Sequence, residues 1–280
     1  MRYISVEEIT TNIKEMCIEA NYKLASDVDK HIREAYTKET SSLGKSVLKQ
    51  LNENIDIAAS ESIPICQDTG MTIVFIKIGQ EVHIKGGLLE EAINKGIGLG
   101  YWEGYLRKSV VSDPILRENT KDNTPGVIYY EIVAGDKIEI TVAPKGFGSE
   151  NMSRIYMLKP ADGIEEIKHA VLETVKLAGP NACPPIVVGI GIGGSFEKCA
   201  LLAKRALIRS IDIRSDKPHI RKLEEELLDE INKTGIGPAG LGGKITALGV
   251  NIETYPTHIA GLPLAINISC HVNRHVTRVI

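Results

Sequence analysis

The stretch Asn181-Ala182-Cys183-Pro184-Pro185-Ile186-Val187-Val188-Gly189-Ile190-Gly191-Ile192-Gly193-Gly194, continued by Ser195-Phe196-Glu197-Lys198-Cys199-Ala200, decides the fold class. Ile186 to Ile190 is a short β-branched run bounded by prolines and glycines, which predicts a strand. From about Phe196 to Leu207 the apolar side chains recur at helical spacing, which predicts a helix. A strand that feeds a helix through glycines belongs to a mixed α and β fold. Gly189, Gly191 and Gly194 also match the G-x-G-x-x-G fingerprint of dinucleotide sites, and Asp212 follows at about the distance of the ribose-binding acid. Taken alone, that pattern supports a nicotinamide- or flavin-dependent oxidoreductase. Three features weigh against it. The motif lies deep in the chain, Ala206 to Ile211 does not separate as a second strand, and dinucleotide binding gives no reason for Cys183 at the strand's entry. The other reading is a tight strand-to-helix turn with close packing.

Outward from this unit the same alternation continues. Residues 6–36 carry Ile9, Ile13, Met16, Cys17, Val28 and Ile32 at three- and four-residue spacing, which predicts helix, and a second helix is expected from about Leu43 to Ala59. Thr72 to Ile78 predicts a strand. A helix is expected from Leu88 to about Val110. Gly126 to Val133 and Lys137 to Ala143 read as two strands joined by a turn at Ala134-Gly135-Asp136. Lys145 to Asn151 is a glycine-rich loop, and helices are expected over Ile164 to Ala178 and Lys222 to Lys233. The expected fold is thus mixed α and β, with a helical N-terminal part over about 1–60 followed by interleaved strands and helices. No repeat or linker divides it, so 1–280 is expected to form a single domain.

Composition narrows the function. The chain has 280 residues, 43% hydrophobic and 25% charged, with a net charge of −3. Basic residues are scattered, so no nucleic-acid footprint or membrane-surface patch is expected. No run approaches the ~18 apolar residues of a membrane span. The N-terminal residues carry early acids and no apolar core, so a secretory leader is not expected and the expected compartment is the cytoplasm.

Five cysteines, an odd number, argue against a disulfide framework. Cys17 and Cys199 fall in expected amphipathic helices, where a cysteine usually behaves as a small core hydrophobe. Cys66, Cys183 and Cys270 fall in loops rich in glycine, proline and polar residues, where a thiol is accessible and positioned. Three such thiolates suit a soft metal centre, zinc or iron–sulfur. None has a partner at the short spacing of structural zinc sites, so a zinc finger is not expected. Spacing alone leaves three separate free thiols equally open.

The surrounding residues carry more. Ile65-Cys66-Gln67-Asp68-Thr69-Gly70, the Ala182 to Gly194 segment, and Thr257-His258-Ile259-Ala260-Gly261-Leu262-Pro263 leading to Cys270 are similar to three signatures of the iron–sulfur hydro-lyases, the class I fumarate hydratases and L-tartrate dehydratases. Pro144 to Asn151 and Gly235 to Lys244 resemble further segments of that family, in the same order, from about Leu43 onward. The resemblance implies that Cys66, Cys183 and Cys270 hold a [4Fe–4S] cluster whose fourth iron stays open to substrate. It implies catalytic roles for Asp68 and His258, and substrate contacts for Gln67, Arg107 and Gly148. At Gly146-Phe147-Gly148 the chain departs from the triple glycine of some members. Single-chain members carry a second domain that this sequence lacks, so the resemblance implies the α subunit of a hydro-lyase. A separate β subunit is expected, with αβ units in a higher oligomer and a small dicarboxylate as substrate. Malate–fumarate interconversion is the expected reaction and tartrate dehydration the alternative. A non-enzymatic iron–sulfur scaffold is the remaining reading.

Overall fold

A computed structural model describes residues 2–280. In chain order the elements are β1 (Arg2–Ser5), α1 (Val6–Tyr22), α2 (Ser26–Lys38), α3 (Ser42–Glu61), β2 (Met71–Gly79), β3 (Val82–Lys85), α4 (Leu89–Glu103), β4 (Val127–Val133), β5 (Ile138–Lys145), the one-turn α5 (Phe147–Glu150), β6 (Arg154–Leu158), α6 (Gly163–Ala178), β7 (Ile186–Gly193), α7 (Phe196–Ala206), α8 (Pro218–Lys233), β8 (Ala247–Tyr255), β9 (Leu262–Ser269) and β10 (Val276–Val279). This is the mixed order the sequence predicts, with helices concentrated early. Contacts divide the chain into two units. The first holds the described residues up to Ala25, Ile55–Phe147 and Arg274–Ile280, and the second holds Ser26–Asn54 and Gly148–Asn273.

In the first unit a four-stranded sheet runs in the order β10-β5-β2-β4. β2 is an inner strand because Ile73, Val74, Phe75 and Ile76 are apolar on both faces and all buried. It pairs in parallel with β4 and antiparallel with β5. The expected hairpin of residues 126–143 therefore does not form: both strands exist, but β2 inserts between them. β4 takes the edge, leaving Tyr130 and Ile132 exposed. Helix α1 is capped by Ser5, whose hydroxyl accepts the Glu8 N–H at 3.1 Å. Its buried stripe of Ile9, Ile13, Met16 and Cys17 joins Val74, Ile76, Ile93, Ile97 and Tyr101 in one core. The single helix expected over 6–36 is two helices, broken at residues 23–25. The helix expected to reach Val110 stops at Glu103, where Gly104 caps it and Tyr105 turns to a φ of 50°.

In the second unit the sheet order is β6-β9-β7-β8. β7 lies between β8, in parallel, and β9, antiparallel. The glycines of the apparent fingerprint lie within or directly after β7, and their spacing has a steric cause. A Cβ on Gly189 would collide with the Ala203 carbonyl, and one on Gly191 with the Cys199 carbonyl. They let α7 lie directly on the strand, and Asp212 is engaged by Lys30 and His31. The close-packing reading of this motif is the one the structure bears out.

The Gly235–Lys244 loop is secured by a carboxylate. Glu39 is 1% exposed. Its oxygens accept the main-chain N–H groups of Thr40 at 2.7 Å and of Ser41, Lys244 and Ile245 at 2.9 Å. Burial alone would raise its pKa, but these donors together hold it below the ordinary glutamate range. The folded value is depressed, so the stabilisation is present above the unfolded value of roughly 4.3 and is lost as pH falls through the folded one. Glu39→Gln turns an amide NH₂ toward this ring of donors. It should cost about 2–4 kcal/mol in urea unfolding at pH 7, with the gap to wild type narrowing below about pH 4. Equal stability at pH 7 would contradict the assignment.

Candidate functional site

The residues expected to act in the first unit meet at the turn between α3 and β2. Ile65 enters it with its N–H on the Asn21 carbonyl at 2.9 Å. The half-exposed Cys66 Sγ accepts the Asp68 N–H at 3.4 Å. One Asp68 oxygen accepts the Gly70 N–H at 3.0 Å, and the other accepts the Phe147 N–H at 2.9 Å. Behind them the fully buried Tyr101 hydroxyl donates to the carbonyls of Thr69 at 2.7 Å and Gly70 at 3.0 Å, and Asn123 adds a bond to Gly70 at 3.1 Å. Gly70 has a φ of 78°, and a Cβ there would stand 2.8 Å from the Lys145 main chain, so only glycine fits. The turn thus presses against the start of the Lys145–Asn151 loop, as the register Met71 opposite Lys145 requires.

Gln67 projects into solvent beside this turn. Arg107 lies beyond the end of α4, and its carbonyl accepts the Thr69 hydroxyl at 3.0 Å while its side chain is exposed. Cys66, Asp68 and the Arg107 main chain are therefore brought together. One participant escapes sequence reasoning. The guanidinium of Arg274, 4% exposed, donates to the Asp68 carbonyl through Nη2 and to the Pro144 carbonyl through Nε at 3.2 Å. The only signal for it in the sequence is its place four residues after Cys270.

In the second unit Cys183 is exposed, with a φ of 51°, directly before β7. Its carbonyl is hydrogen-bonded by the His271 N–H at 3.4 Å and lies 3.0 Å from His271 Nδ1. This ties the Cys183 turn to the residue after Cys270, which is half-exposed at the end of β9. The Glu150 carboxylate is gripped by the half-buried Lys204 ammonium and by Asn267 Nδ2 at 2.8 Å, which anchors the Gly148–Asn151 segment on α7 and β9. Burial holds Lys204 below the ordinary lysine range, against the opposing pull of Glu150. Gly148 itself is exposed. His258 stands on the exposed 256–261 loop between β8 and β9, and Thr257 Oγ1 donates to the Gly194 carbonyl at 2.9 Å. The His258 Nδ1 accepts the Ala260 N–H at 3.2 Å, so Nε2 carries the proton of the neutral ring.

The five thiols sort by environment as their sequence positions predict. Cys17 is fully buried, and burial pushes its pKa up to about 12. Burial also raises Cys199. Neither suits a thiolate ligand. Cys66, Cys183 and Cys270 are reachable by solvent and mounted on braced turns, a donor set that fits an iron–sulfur group. Among the described residues no three or more His, Cys, Asp or Glu side chains stand gathered as a ready metal group. The sorting has a direct test. Iodoacetamide at pH 8, followed by mass spectrometry of the folded apo chain, should label Cys66, Cys183 and Cys270 at least ~10²-fold faster than Cys17 and Cys199, because only the thiolate reacts. Equal labelling of Cys17 would refute it.

Known proteins resemble the chain along nearly its whole length. The family model described as fumarate hydratase (Fumerase) matches residues 10–279. A Methanocaldococcus jannaschii protein, provisionally named L(+)-tartrate dehydratase subunit alpha, is 46% identical over 277 residues, covering 97% of each chain. Proteins named L(+)-tartrate dehydratase subunit alpha from Escherichia coli (strain K12) and Shigella boydii are each 30% identical over 276 residues, covering 98% of this chain and 91% of theirs. A match along nearly the whole chain places this protein in the fumarate hydratase family of iron–sulfur hydro-lyases.

Proposed function

We propose that this chain is the α subunit of a [4Fe–4S]-dependent hydro-lyase that reversibly dehydrates malate to fumarate, working with a separate β subunit in the cytoplasm. The observation that carries the reading is the turn at Cys66, where an accessible thiol and a pinned carboxylate sit two residues apart. Cys66, Cys183 and Cys270 are the residues that would hold the cluster. When bound, a cluster with one iron free of protein ligands supplies a Lewis acid for the substrate's hydroxyl and carboxylate oxygens. The chain's own residues supply the proton-transfer groups. Dehydration must give a proton to a departing hydroxide and take one from a weakly acidic carbon. Asp68 and His258 fill those two roles. Asp68 has both oxygens oriented by main-chain donors, with a further lone pair left on each. His258 offers Nε2–H from an exposed loop. The Arg107 fork suits one substrate carboxylate, with Gln67 and the amide of Gly148 as further contacts. The second carboxylate needs cationic groups from β, since the relatives carry the name subunit alpha. Those same names favour a second reading, in which the substrate is L(+)-tartrate. Both substrates are 2-hydroxy dicarboxylates and ask the same of these residues.

The test is anaerobic reconstitution of the α chain with iron and sulfide, followed by turnover of malate and of L(+)-tartrate with and without β. The α chain alone should be nearly inactive, and β should raise turnover by about 10²-fold or more, since the missing contacts supply orientation. Asp68→Asn and His258→Asn should keep their iron and lose about 10²-fold in turnover. Whichever substrate has the larger kcat/KM decides between the two readings. Full activity of α alone, or normal turnover in both variants, would overturn the proposal.

A further inference from the structure

Arg274 is a buried cation with no ion-pair partner among the described residues. It is 4% exposed, yet its partners are two main-chain carbonyls, those of Asp68 and Pro144, and no carboxylate among the described residues pairs with it. Its remaining terminal nitrogen, Nη1, is buried without a hydrogen-bond partner. Desolvating a guanidinium for two neutral acceptors is costly, and a neutral amide side chain would satisfy them at less cost. A charge kept under those conditions calls for a role beyond packing.

The geometry supplies one. Nη2 and Nε belong to one rigid planar fork, and they hold two strands of chain at once: the turn at Asp68 and the last residues of β5. Both strands carry the groups that fix the Asp68 carboxylate, Gly70 on one side and Phe147 on the other. A Cβ placed on Gly146 would lie 3.1 Å from Asp68 Oδ2 and 3.9 Å from Arg274 Nη2, so the guanidinium and the carboxylate flank the same point of the loop. We infer that Arg274 is a positioning residue: by clamping the main chain of Asp68 to the end of β5, it holds the carboxylate aimed from a rigid turn. It acts through the backbone, because Nη2 and Nε are spent on the two carbonyls and Nη1 is buried. A lysine keeps the charge but can reach only one of the two carbonyls, so the fork and not the charge alone is required.

The proposal deepens the hydro-lyase reading, and its test keeps the two separable. Hydrogen exchange of the full apo α chain reads the clamp without cluster or substrate. In Arg274→Lys and Arg274→Gln, peptides covering 66–71 and 145–148 should exchange at least about tenfold faster than in wild type, while those covering the middle of β2 stay unchanged. In the reconstituted αβ enzyme both variants should keep their iron and KM within about threefold. Turnover should fall at least about tenfold in Arg274→Lys and further in Arg274→Gln. Wild-type exchange in both variants would overturn the clamp, as would a rise in KM with unchanged kcat, which would make Arg274 a substrate-binding group. If wild-type enzyme turns over neither malate nor tartrate, the hydro-lyase reading fails while the exchange result still decides the clamp.

Discussion

The carboxylate of Asp68 is fixed before any substrate arrives. Each oxygen accepts one main-chain N–H, from Gly70 and from Phe147, and the turn that carries it is gripped by Tyr101, Asn123 and Arg274. Charged acceptors form the stronger hydrogen bonds, and rigid main-chain donors cannot drift as side chains do. Much of the first unit serves this constraint. β2 begins directly after the turn, β5 ends opposite it, and α4 contributes Tyr101 from the core beneath it. Preorganisation of this kind lets a carboxylate contribute to a proton transfer without a further loss of entropy at the moment of reaction.

The second unit uses the same device for different cargo. The left-handed turn at Cys183 is tied to the chain after Cys270 through His271, and the glycine loop is held by the Glu150–Lys204 pair. Glu39 organises Lys244 and Ile245 with its carboxylate alone. In each case a buried charge is matched by directed donors or by an opposite charge, as burial demands. Arg274 is the exception, and for that reason it stands out as functional and not merely structural.

How much of this the sequence discloses follows from which forces are local. The helical stripe of Ile9, Ile13 and Met16, the β-branched run of β2 and the division of the cysteines between loops and helices are all written in nearest-neighbour periodicity, and the structure follows them. Strand order is not local. β4 and β5 adjoin in sequence, but β2 is the more apolar strand and claims the place between them. Helix ends depend on single residues: the break after Tyr22 and the stop at Gly104 leave the apolar spacing undisturbed, so periodicity runs through both. The glycines of β7 mimic a dinucleotide loop because close helix packing and close phosphate approach place the same demand on Cβ. Arg274 was illegible because its partners are carbonyls, which carry no sequence signature.

The proposed function rests on Cys66, Cys183 and Cys270 holding a cluster with one iron left for substrate. The most direct measurement is electron paramagnetic resonance of the anaerobically reconstituted and reduced α chain in complex with β, titrated with malate and with L(+)-tartrate. About four irons and four sulfides per α chain are expected, as the claimed cluster requires, with a spectrum that shifts on saturation with the true substrate. A spectrum that neither dicarboxylate perturbs, or iron bound equally well after Cys183→Ser, would contradict it.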